Sequence, residues 1–127
     1  LRRQRQMCIR DRVVDRADLE GNYSETSGSA MAAYALMKGA RLGMLPPEYG
    51  QRGSEVLDGI RDTYLKQTKS GYELHGICAS AGLGPGPDNR TDRTGTPAYY
   101  LSEKQMVDNQ HGAAACMMAV SEQLRRI

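Results

Sequence analysis

The sequence predicts an all-α fold of layered helical hairpins, interrupted by one short hairpin-like β insertion. Three observations predict it. The stretch from Ser27 to Leu42 is apolar nearly all the way round, with Lys38 its first charge, as in a helix buried on most sides. The next stretch, Pro47 to Gln67, gathers Val56, Leu57, Ile60 and Tyr64 on one stripe and leaves Glu55, Asp58, Arg61 and Asp62 largely outside it. An all-round apolar helix followed by a one-sided one reads as the inner and outer members of an antiparallel pair, the unit of a layered α-toroid. Strand-like alternation is confined to residues 71–84, where Tyr72, Leu74, Gly76 and Cys78 alternate with Glu73, His75 and Ile77 before Gly-rich turns.

Each element has its own local cause. Residues 13–19 read as the end of a helix or a connector, and Gly21-Asn22 as a turn. Thr26, Ser27, Gly28 and Ser29 then offer short side chains that cap a first helical turn. A buried helix that starts on hydroxyls and free N–H groups suits an anionic ligand, and it equally suits an ordinary capped core helix. Gly43 stops this helix and Pro46-Pro47 prevents its continuation. Pro47 opens the second helix at a favoured first-turn position, with Glu48 near the positive end of its dipole. Residues 84–97 are loop by composition, with enough length to line a site. Order returns at Ala98 to Glu103, where Tyr99 and Tyr100 point to opposite faces if the chain is extended. A last helix, Gln110 to Arg126, carries Ala113, Ala114, Met117, Met118, Val120 and Leu124, with basic residues at its negative end. The small-residue starts SGSAMAAYAL and HGAAACMMAV are similar, as the starts of repeated helical hairpins would be.

Charge and cysteines narrow the function. Residues 1–12, LRRQRQMCIRDR, hold five Arg and one Asp, whereas residues 13–127 hold twelve Lys or Arg against fourteen Asp or Glu. The basic character therefore belongs to the leader, and the body has no concentrated basic patch for nucleic acid. The leader has no apolar core of a secretory signal, and MCIRDR resembles a translated sequencing adaptor, so residues 1–12 are expected to be non-native and 13–127 to be the domain. No apolar run approaches the roughly 20 residues that span a bilayer, so no membrane partner is expected. Cys8, Cys78 and Cys116 show no paired spacing and no metal spacing with His75 or His111. An odd count favours reduced thiols, hence a cytoplasmic location, and no metal site is expected.

Several side chains carry candidate chemistry, each with a plainer alternative. His75 could bond a hydroxyl or carboxylate from a cleft wall, or simply be structural. One of Tyr99 and Tyr100 could line a site with ring and hydroxyl while its neighbour packs. Glu25 and Glu103 could act as acid or base if buried, yet nothing in the sequence brings the two together. Arg90 and Arg93 could pair with a carboxylate, or be solvated loop charges. Asp108-Asn109 precedes a helix and reads as a cap. No nucleophile elbow, P-loop or dinucleotide fingerprint is present.

Four ordered segments, GNYSETSGSAMAAYALMKGARLGMLP, LHGICASAGLG, AYYLSE and DNQHGAAACMMA, resemble the C-terminal part of the unsaturated rhamnogalacturonyl hydrolases of glycoside hydrolase families 105 and 88. The resemblance covers residues 13–127 and implies a partial (α/α)6 barrel of the six-hairpin glycosidase type, about the last third of a family chain. It implies a substrate left by pectin or glycosaminoglycan lyases, an oligosaccharide with a C4=C5 unsaturated uronic acid at its non-reducing end. In that family an Asp protonates C4 of the vinyl ether and water adds at C5. The hemiketal then collapses and expels the remaining sugar, without metal or organic cofactor. One carboxylate can serve as acid and then base because the enol ether itself supplies the oxocarbenium character.

The catalytic Asp and the His, Trp and Arg that hold the uronate in the family lie in earlier motifs, and no residue here matches them. What the resemblance leaves to this chain is pocket wall: substrate-binding positions Thr26, Ser27, His75 and Tyr99, and no catalytic residue. With Trp and Phe both absent, a sugar platform here must be one of the seven Tyr. Two alternatives stay open: another (α/α)6 sugar enzyme, arabinofuranosidase-like or an epimerase, and a non-catalytic helical interaction module. The first would need its own carboxylate or His constellation. The second would show a flat surface around Ser27, His75 and Tyr99.

Overall fold

A computed structural model describes residues 11–125. The chain is mostly helical: α1 (Thr26–Arg41), α2 (Pro47–Tyr64) and α4 (Gln110–Leu124) are its three long helices, and α3 (Pro97–Ser102) is short. Two small antiparallel strand pairs accompany them, β1 (Leu65–Thr68) with β2 (Gly71–Leu74), and β3 (Ile77–Cys78) with β4 (Gln105–Met106).

The helices form a layer with α1 in the middle, packed on α2 along one side and on α4 along the other. α1 and α2 pack on each other as the expected pair of consecutive helices. Gly43, at φ +71°, donates its N–H to the Ala40 carbonyl and ends α1, and Pro47 opens α2 four residues later. On α2 the buried residues are Gly50, Gly53, Val56, Leu57 and Ile60, one stripe as expected. α1 is less enclosed than its composition predicts. Ala30, Ala33 and Met37 are fully buried, but Met31 on the opposite side is 54% exposed. Its all-round apolarity serves two neighbours and leaves a third side bare. The core joins these residues with Leu74, Ile77, Ala115 and Ala119, and with the flanks of Tyr34, Tyr64 and Cys116.

Three boundaries differ from expectation. α2 stops at Tyr64 because Leu65, Lys66 and Gln67 pair with Leu74, Glu73 and Tyr72 to make the hairpin. The predicted strand over 71–78 is broken at Gly76, whose φ of +74° turns the chain from β2 into β3. Ala98 to Ser102 is helical rather than extended, capped by the Thr96 hydroxyl, which accepts the Tyr99 N–H at 3.2 Å. Arg126 and residues 1–10 of the expected leader lie outside the described residues. Within that leader the Arg12 N–H donates to the Tyr23 carbonyl at 2.7 Å. Among the described residues, no helix is long and apolar enough to cross a membrane.

Candidate functional site

The first turn of α1 is organised by Glu25, not by the hydroxyls that follow it. Glu25 is the N-cap, 6% exposed, and its carboxylate accepts the N–H groups of Ser27 (3.2 Å) and Gly28 (2.6 Å) and the Ser27 hydroxyl (2.7 Å). It also accepts the Cys78 N–H at 3.0 Å, from the strand that crosses the helix start. Burial pushes its pKa up, but the hydrogen bonds from Gly28, Cys78 and Ser27 outweigh burial and hold the acid below the usual carboxylate range. The expected anion site at this helix start is therefore filled by the chain's own carboxylate. A reader of the sequence could have found it: a Glu stands directly before T-S-G-S.

Thr26 and His75 meet across that junction. The Thr26 side chain is fully buried, and its hydroxyl donates to the His75 carbonyl at 2.7 Å while its N–H donates to the Gly76 carbonyl at 2.9 Å. The His75 ring turns the other way, 38% exposed, with Nε2 3.1 Å from Glu73. At the end of β2, Asp108 accepts the Leu74 N–H at 2.7 Å and donates its own N–H to the Leu74 carbonyl. Segment 74–78 is thus clamped between the start of α1 and the residue before the α4 cap, Asn109.

Tyr99 is placed by the loop before it. Its ring is 7% exposed, and its hydroxyl accepts the Gly82 N–H at 3.2 Å. A hydrogen bond from Tyr99 holds Glu103 below the usual carboxylate range, assisted by Arg90, 3.1 Å away. Arg90 also pairs with Asp92 and Arg93 with Asp88, so both loop arginines are neutralised within the loop and its neighbour. Asp88, Asp92 and Asp108 all have structural partners.

Two concave regions lie between these parts. One, about 470 Å³, is bordered by Ser27, Gly28 and Met31 at the start of α1. The other, about 620 Å³, is bordered by Gly82, Leu83, Thr96 and Tyr99. Arg12, Val14 and Tyr100 border both, so Ser27 and Tyr99 stand on adjacent hollows with a shared wall, while Thr26 and His75 border neither. Tyr100, which sequence reasoning left as the alternative to Tyr99, carries the Arg12 guanidinium 3.7 Å above its ring. Tyr100 is thus the more open ring of the shared wall, 37% exposed but with one face under Arg12, while the Tyr99 hydroxyl is already bonded within the chain. Among the described residues no cluster of three or more His, Cys, Asp or Glu side chains is arranged to hold a metal ion.

Residues 2–127 match the profile of Glycosyl Hydrolase Family 88. The chain belongs to that family. Two curated relatives of this family 88 chain are each 42% identical over 127 residues: Protein Atu3128 of Agrobacterium fabrum and the 24.9 kDa protein in the picA locus of Rhizobium radiobacter. Each alignment covers 96% of this chain and 54% of the relative, so the chain spans about half the length of the curated relatives it matches. A solved structure, the family 105 glycoside hydrolase of C. acetobutylicum ATCC 824, superposes with a TM-score of 0.82 at 37% identity. That superposition covers 92% of this chain and 32% of the solved one. The resemblance to families 105 and 88 carried by the four segments is borne out, and with it membership of a glycosidase family.

Proposed function

We propose that this chain is part of a glycosidase that removes the unsaturated uronic acid from the non-reducing end of lyase-generated rhamnogalacturonan oligosaccharides. Hydration of the C4=C5 double bond is the reaction, and the six-hairpin barrel is the fold to which α1, α2 and α4 contribute. The observation that carries the reading is the family 88 match over residues 2–127 together with the family 105 superposition. The site geometry is compatible with it. Ser27 and Tyr99 border the hollows that would face the sugar, and Thr26 fixes the connection between β2 and β3 that holds His75. No residue here takes the catalytic role: Glu25 is consumed in capping and Glu103 in the Tyr99–Arg90 network. A cytoplasmic setting belongs to the same reading, supported by the free thiols of Cys78 and Cys116.

The test compares this 127-residue chain with the longer upstream-extended reading frame from its source DNA. Both are incubated with lyase-digested rhamnogalacturonan while the ultraviolet absorbance of the unsaturated uronide is followed. The expected result is decay with the longer protein, abolished by Asp→Asn at its catalytic carboxylate, and no decay with this chain alone. A longer protein that leaves the absorbance of every unsaturated uronide unchanged would remove the proposed reaction and bring other (α/α)6 sugar chemistries forward.

A further inference from the structure

We draw no further inference here: the strongest candidate, the apolar surface patch that Met117, Met118 and Leu124 form on α4, has nothing in the structure to show what covers it.

Discussion

The Glu25 carboxylate takes in four donor groups from three residues while the residue is 6% exposed, so its replacement should be felt well beyond one helix cap. Glu25→Ala loses the cap and strands the buried Cys78 N–H, together costing about 2–4 kcal/mol. Urea denaturation at neutral pH would read that loss as a lower midpoint at unchanged slope. Because the folded-state pKa of Glu25 is depressed, its contribution is fully present above the unfolded value of about 4.3 and fades as pH falls through the folded one. The wild-type chain should therefore lose stability on acidification below that point, and Glu25→Ala should show a shallower acid dependence. Cysteine chemistry gives a second residue-level prediction. Burial pushes the Cys116 thiol up to about 11, and Cys78 is 4% exposed, so neither should be alkylated by iodoacetamide in the native chain at pH 7.5. Mass mapping that finds either one labelled as fast as in denaturant would contradict the packing described. The sequence offered T-S-G-S as capping chemistry, and hid the cap because a Glu supplies an N-cap less often than Ser, Thr, Asp or Asn.

At the scale of elements, glycines set how closely the helices and strands approach. A Cβ on Gly53 would stand 2.7 Å from the Ala33 carbonyl oxygen and 2.7 Å from Met37 Cγ, so α2 lies against α1 with no room for a methyl group. A Cβ on Gly112 would meet all three outer carbons of Ile77 within 2.8 Å. Gly53→Ala should cost about 1–3 kcal/mol despite its helix-propensity gain of about 1 kcal/mol, since a backbone carbonyl cannot yield as a side chain can. Gly112→Ala should cost at least about 1 kcal/mol as well, because Ile77 is fully buried and its β-branched side chain is stiff. Thermal unfolding of the two variants would rank them, and a stabilised Gly53→Ala would show that the close approach is wrong. The long helices were legible because their period and their stops, Gly43 and Pro46-Pro47, are local signals. Helix α3 was not, since six residues with two adjacent tyrosines carry no period, and Pro97 with the Thr96 cap decides them. The end of α2 was missed for a different reason: Leu65 to Gln67 continue its pattern acceptably, and only pairing with residues 72–74 makes them strand.

For the whole molecule, the layered arrangement leaves one broad side uncovered. Met117 is 72% exposed and Leu124 64%, on the face of α4 opposite its buried Gly112, Ala115 and Ala119, and Met118, 51% exposed, flanks them. Large exposed apolar patches drive association, so the isolated chain should self-associate as its concentration rises. Light scattering after size exclusion would show mass above 14.0 kDa, and Met117→Lys with Met118→Lys should reduce it. A strictly monomeric wild-type chain across the concentration range would overturn the prediction. The family was legible from four segments, which hold the α1 start, the crossing strand, the short helix and the α4 start. The division of labour among their side chains was not, because it depends on which donors are spent. Ser27 and Tyr99 border hollows and Thr26 does not, yet all three hydroxyls are already bonded within the chain.

That junction also bears on the order of folding. The bonds of Glu25 with Cys78 and of Thr26 with His75 join residues 53 and 49 positions apart, so the start of α1 is secured only after the α2 hairpin has been brought back across it. Contacts of such separation are costly to close and tend to form late. Thr26→Val keeps the shape and deletes the hydroxyl that reaches His75. In dilute refolding and unfolding kinetics it should quicken unfolding and leave the refolding rate nearly unchanged, the behaviour of a latch set last.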